Sequence, residues 1–189
     1  NLKKRKRSRK LKPLIYMQNI FLKILKTKKT VMPLADIQND NAEILTLGNE
    51  IQENVRRIFQ GSLAIRQISA GSDNACEQEL VALSNAYYDV ERFGIHFVAS
   101  PKHADMLMIT GPITRNMLKA VQNACEGTPD PKIIVAVGDD AINGGIFRGN
   151  YAVCDGVAGI MKVDYQIPGD PPTPKEIMRH LLALLKSRK

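Results

Sequence analysis

Leu63-Ala64-Ile65-Arg66-Gln67-Ile68-Ser69-Ala70-Gly71-Ser72-Asp73-Asn74-Ala75-Cys76 is a short apolar run that breaks into a glycine loop and reopens as a helix. A run of this length bounded by turn-forming residues predicts a strand over Leu63–Ile68. The text after the loop predicts a helix over Cys76–Tyr88. The same alternation continues downstream. Strands are expected over Ile95–Ala99, Asp105–Thr110, Lys132–Val137 and Ala158–Asp164, and helices over Arg115–Cys125 and Pro174–Lys186. Upstream, Ile44, Leu47, Ile51, Val55 and Ile58 recur at spacings of three and four, which predicts a helix over Ala42–Phe59 ended by Gly61. Alternating strands and helices imply right-handed βαβ units, hence an α/β fold around a mostly parallel sheet.

In such a sheet, ligands gather outside the carboxyl ends of the strands. Three loops should therefore converge on one edge: Ser69–Cys76, Gly138–Gly145 and Pro168–Pro172. Each carries or adjoins an aspartate: Asp73, Asp140 and Asp170. Ordinary turn chemistry explains one such loop, since glycine and aspartate are common at turns and helix starts. It explains three converging ones less well. Close carboxylates repel, so at least one of them should hold its proton unusually tightly unless a cation compensates. Asp73, Asp140, Asp170 and the neighbouring Glu77 are thus candidates for proton handling. A hard cation is a second expectation for the three aspartates, because oxygen donors suit magnesium, calcium or manganese. A solvated acidic cleft accounts for the same residues, and Glu77 is equally well read as a solvated glutamate at a helix start.

Hydrophobic residues make up 44% of the 189, enough for a proper core. The net charge of +8 hides an uneven distribution. Residues 1–30 hold twelve of the 27 Lys and Arg and none of the 19 Asp and Glu, so the remainder is acidic on balance. Within that basic segment Leu14, Met17, Phe21, Ile24 and Leu25 form the stripe of an amphipathic helix among lysines. Such a stripe suits an anionic lipid surface or a membrane subunit; docking on another partner protein is the plainer reading. Nucleic acid is not expected, because no aromatic stacking platform or recognition helix accompanies the tail. Residues 31–42 read as a polar linker, giving an extension over 1–42 and a domain over 43–189. No apolar run reaches the roughly 20 residues of a membrane-spanning helix, and the start lacks a conventional signal peptide. Three cysteines, Cys76, Cys125 and Cys154, form neither a Cys-x-x-Cys pair nor a disulfide framework. Cys125 and Cys154 are expected to be small buried core residues. His96, His103 and His180 are given no catalytic role, and Arg115, Lys119 and Arg148 are candidate partner contacts. There is no P-loop, dinucleotide fingerprint or Ser/His/Asp arrangement.

Several stretches carry a resemblance. Ser62-Leu63-Ala64-Ile65-Arg66 leads into the first loop. Asn85-Ala86-Tyr87-Tyr88-Asp89, Glu91-Arg92-Phe93-Gly94-Ile95 and Ala99-Ser100-Pro101-Lys102-His103-Ala104-Asp105 follow. Thr110-Gly111-Pro112-Ile113-Thr114, Pro129-Asp130-Pro131-Lys132 and Gly144-Gly145-Ile146-Phe147 come next in order. Over residues 43–186 the chain resembles the small, cluster-bearing subunit of membrane-bound energy-converting nickel–iron hydrogenases, including formate hydrogenlyase. It also resembles the homologous 20 kDa subunit of respiratory complex I, the NADH:ubiquinone oxidoreductase. The resemblance implies a flavodoxin-like, doubly wound sheet. It further implies that Asp73, Cys76, Asp140 and Asp170 stand at the family's four cluster-ligand positions, where the family loops read GSCNxC, GxCA or GDCA, and PGCPP. Only Cys76 keeps the thiolate.

Soft thiolates hold iron–sulfur clusters, whereas carboxylates are hard donors. The resemblance therefore implies a peripheral-arm subunit with a degenerate iron–sulfur site, no cofactor, and electron transfer lost or altered. Its expected partners are a hydrogenase- or complex I-like large subunit, membrane-arm subunits and the anionic lipid surface on the cytoplasmic side of the inner membrane. Within an oxidoreductase-type complex such a chain is not the catalyst alone. The alternative is a working oxidoreductase subunit that relays electrons through an unusual four-iron, four-sulfur cluster. A free-standing flavodoxin-like binding module is a third class, which the membrane-suited extension disfavours.

Overall fold

The computed structural model describes residues 34–71 and 73–188, together with Lys26. The chain forms two compact units, Asn1–Asn41 and Ala42–Lys189. The Leu14, Met17, Phe21, Ile24 and Leu25 stripe lies outside the described residues.

The first described helix, α1, runs over Leu34–Phe59, eight residues earlier than its apolar stripe suggests. The polar segment expected as linker is helical from Leu34, directly after Pro33. A proline ahead of the first turn and Asp36 within it are favourable helix starts, and periodicity alone does not register them.

Five strands follow: β1 Leu63–Ser69, β2 Ile95–Phe97, β3 Met106–Thr110, β4 Ile133–Val137 and β5 Tyr165–Ile167. They form one sheet in the order β2-β1-β3-β4-β5, and every pairing is parallel. The helices between and after them are α2 Ala75–Ala82, α3 Leu118–Gly127, α4 Asp139–Asn143 and α5 Pro174–Ser187.

Side chains of the central strands divide by parity, as a pleated sheet requires. Met106, Met108, Ile133, Val135 and Val137 join α1, α2 and α5 in one buried cluster. Leu107, Ile109, Ile134 and Ala136 join Val121 of α3 and Ala141 of α4 in the other. A strand buried on both faces explains why these runs read as continuously apolar rather than alternating. Each such side chain contributes on the order of 1.5–3 kcal/mol on burial. Ion pairs of Glu43 with Lys175 and Arg179, and of Glu50 with Lys186, hold α1 along α5.

Further expected elements differ, beginning with the helix expected over Arg115–Cys125, which is α3 at Leu118–Gly127. Helix α2 stops at Ala82 instead of Tyr88 because Asn85 Oδ1 accepts the Tyr87 and Tyr88 amides at 2.8 and 3.0 Å. That local turn outcompetes helix continuation. The strand expected over Ala158–Asp164 is instead a 3₁₀ turn at Val157–Gly159, and pairing with β4 begins at Tyr165. The chain reaches β4 only at Asp164, whose Oδ2 accepts the Ile134 amide at 2.9 Å. Asp105 does the same for Ala64 at the amino end of β1. The carboxyl edge is thereby left to β1, β3, β4 and β5, whose onward loops carry the candidate residues.

Candidate functional site

Between β1 and β3 the strand order reverses, the place where open α/β sheets bind ligands beyond the carboxyl ends. Cys76 sits in the first turn of α2 and is buried. Its neighbour from the facing loop is Gly138, the residue between β4 and α4. Gly138 has a φ of 90°, and a Cβ placed on it would lie 2.5 Å from the Cys76 Sγ. Only glycine allows both the backbone turn and the thiol's approach.

The β4 and β5 loops are stitched to each other. The Gly138 amide donates to the Ile167 carbonyl at 2.8 Å, and the Asp139 amide donates to the Gly169 carbonyl at 2.9 Å. The Gly169 amide returns a bond to Asp139 Oδ1 at 3.0 Å. Asp139 was not among the sequence candidates, although the Asp139-Asp140 pair directly after a strand was visible. Its role is to tie two loops together.

Asp140 lies in the first turn of α4 with 5% of its surface exposed, packed against Gly145. Its Oδ1 has no hydrogen-bond partner. Burial, then the Asp170, Asp73 and Asp139 carboxylates, push its pKa above the ordinary carboxylate value, against a smaller opposing effect of the Ile146 amide. Asp73 and Asp170 are exposed, and Asp73 Oδ1 accepts the Ala75 amide at 2.9 Å.

Burial pushes the Cys76 thiol up to about 12, with Glu77, Asp170, Asp140 and Asp73 adding in that order. The three loops do therefore converge: each contributes a carboxylate whose field is felt at one sulfur. At neutral pH that sulfur is a protonated thiol rather than a ready nucleophile or ligand.

Glu77 is not the solvated glutamate that a helix start suggested. It is 5% exposed, and the Thr110 hydroxyl at the end of β3 donates to its Oε1 at 2.5 Å. Thr110 is fully buried and closes an otherwise apolar strand, a signal that sequence reading passed over. Cys125 and Cys154 are half-buried rather than buried. His103 is exposed in a 3₁₀ turn, while His180 Nδ1 lies 3.1 Å from the Tyr165 hydroxyl. The Arg115 Nε donates to the Tyr151 carbonyl at 2.6 Å. A separate hollow of about 300 Å³ lies between β1, α2 and the end of β2, lined by Arg66, Leu80, Val81, Ser84 and Phe97; it includes none of the aspartates.

The donor set does not fit a four-thiolate cluster. It offers one thiol, held protonated, among hard carboxylates. Among the described residues no group of three or more His, Cys, Asp or Glu side chains has the arrangement of a metal site, so the hard-cation expectation at Asp73, Asp140 and Asp170 gains no support from geometry.

Known proteins share this sequence pattern and fold. A probable membrane-bound hydrogenase subunit of Pyrococcus furiosus is 39% identical over 119 residues, covering 63% of this chain and 71% of that protein. An NADH-quinone oxidoreductase subunit of Bacteroides thetaiotaomicron is 35% identical over 161 residues, covering 79% of this chain and 81% of that protein. Among solved structures, a chain of the membrane-bound sulfane sulfur reductase, an archaeal respiratory membrane complex, is similar with a TM-score of 0.61 at 34% identity. It covers 72% of this chain and 75% of that chain. The family described as NADH ubiquinone oxidoreductase, 20 Kd subunit, matches residues 74–184, which run from just after Asp73 into α5 and include Cys76, Asp140 and Asp170. On that match this chain belongs to the NADH ubiquinone oxidoreductase 20 Kd subunit family.

Proposed function

We propose that this chain is a peripheral subunit of a membrane-bound complex of the energy-converting hydrogenase and complex I type. It seats a large subunit on the membrane arm, and its electron-transfer role is lost or altered because its iron–sulfur site is degenerate. Relatives named as membrane-bound hydrogenase and NADH-quinone oxidoreductase subunits support the assignment to such a complex. The reading of the site rests on one observation: three carboxylates and a single buried thiol meet where the resemblance puts four cluster ligands. Carboxylates bind iron–sulfur cubanes weakly, and a thiol held to about 12 gives up its proton reluctantly to a metal. The basic stripe upstream is suited to the cytoplasmic membrane surface.

The test is the metal content of the complex purified anaerobically. Iron and acid-labile sulfide assays, with electron paramagnetic resonance after reduction, should find this chain's share far below stoichiometric. About four irons and four sulfides in this chain, the content of an intact cubane, would overturn the reading and leave a working relay with an aspartate-ligated cluster.

A further inference from the structure

The carboxyl edge of the sheet has a charge arrangement that calls for something outside this chain. Asp140 is nine-tenths buried with an oxygen that no donor reaches. Gly138, which leads into Asp139 and Asp140, lies against both Cys76 and the Gly169 carbonyl, and the Gly169 amide bonds Asp139 Oδ1, so the loops of Asp73, Asp140 and Asp170 share one edge and each brings a carboxylate. Beside them, the turn that follows Asp140 holds Ile146 at 83% exposure and Tyr151 at 87%, with Phe147 also exposed. That turn is anchored rather than loose. Arg115 holds the Tyr151 carbonyl, Asp155 Oδ1 accepts the Gly149 amide at 2.7 Å, and Thr114 bridges Val153. Apolar side chains held out into solvent on a fixed turn beside a partly buried charge cluster have the anatomy of a protein interface.

Covering this edge with another protein would strip water from carboxylates that already repel one another. Desolvated charges without a counter-charge cost several kcal/mol apiece, so a partner that covers them has to bring positive charge with it. From this complementarity we propose that the Asp73, Asp140 and Asp170 edge is a socket for an arginine or lysine side chain of the large subunit, with Ile146, Phe147 and Tyr151 as the apolar flank of the same contact. The cation lies among the three loops, pairs with an exposed carboxylate, Asp73 or Asp170, and offsets the charge of the buried Asp140. The inference rests on the proposed function in one respect, that a large subunit is the partner.

The experiment uses the intact complex, captured through a tag on the large subunit, with retention of this chain measured against rising salt. Wild type is compared with Asp170→Asn, Asp140→Asn and the exposed control Asp130→Asn. Asp170→Asn and Asp140→Asn should each weaken retention at least about tenfold, the scale of losing one partner of a desolvated charge pair, and Asp130→Asn should not. Asp170 is exposed, so its variant decides the matter if Asp140→Asn folds poorly. Unchanged or tighter retention in both variants overturns the socket. So does release of the wild-type chain by a chelator, which would assign the compensating charge to a divalent metal. A large subunit that never retains the wild-type chain removes the functional reading, an outcome distinct from weak effects of the aspartate variants.

Discussion

Asp140 shows how one carboxyl can make the isolated chain less stable and still be retained. Its folded-state pKa is raised above the ordinary value of 3.8, chiefly by burial and then by Asp170, Asp73 and Asp139. Below 3.8 both folded and unfolded chains hold the proton, and Asp140 leaves the balance unchanged. As pH rises from there through the raised folded value, the folded chain binds more protons than the unfolded one. Stability therefore falls across that window, and the penalty is complete above it. Asp140→Asn should raise the stability of the isolated chain at neutral pH and flatten the acid side of its pH profile. Urea unfolding at about pH 3 and about pH 7 checks this, with wild type losing more stability between the two than the variant. An equal loss in both would show that Asp140 is ionised without penalty. Gain of stability in the free chain and loss of grip in the complex are opposite signs from one substitution, the pattern expected where a site is strained for binding. Cys76 follows the same logic: burial, and then the neighbouring carboxylates, oppose ionisation of its thiol.

Among the elements, α5 sets the β5 loop that carries Asp170, and its start is fixed by a capping box. Thr173 Oγ1 accepts the Glu176 amide at 3.4 Å, and Glu176 Oε2 accepts the Thr173 amide at 2.8 Å, with Pro174 in the first turn. Thr173→Ala should cost about 1 kcal/mol of global stability, read as a lowered thermal midpoint. A loss well below that would mean that packing of Ile177, Met178, Leu181 and Leu185 alone holds the helix in place. Elements with this much local agreement were legible in the sequence: α5, β1, β3 and β4 lie within two residues of their expected bounds. The misreadings have local causes that hydrophobic periodicity does not weigh. Asn85 ends α2 early, a glycine-flanked turn replaces the strand at Ala158–Asp164, and a start behind Pro33 lengthens α1. At the site, the convergence of Asp73, Cys76, Asp140 and Asp170 followed from βα topology. The depth of Glu77 and Asp140 did not, because burial of a charged residue depends on what the opposite loops place over it. The roles of Thr110 and Asp139 emerged only through their hydrogen bonds.

For the whole molecule, the division of charge is the leading feature. Residues 1–30 carry only basic charges, while the remainder is acidic on balance and gathers Asp73, Asp139, Asp140 and Asp170 at one sheet edge. Ala42–Lys189 contains both buried clusters and the entire sheet, so it has the means to fold by itself. Among the described residues no helix is long and apolar enough to cross a membrane. An attachment through the Leu14–Leu25 stripe and its lysines would act by two additive effects, burial of apolar area and attraction to anionic headgroups. The second decays within a Debye length of about 10 Å at 0.1 M salt. Removing residues 1–30 should therefore release the chain from isolated membranes while circular dichroism and the unfolding midpoint of Ala42–Lys189 stay as they were. Intact chain on vesicles containing anionic lipid should show salt-sensitive binding that the truncated chain lacks. If the intact chain binds native membranes but not such vesicles, the extension docks on a membrane subunit. Full membrane association after truncation would move the attachment to the folded unit, where the exposed Ile146, Phe147 and Tyr151 would be the first residues to replace.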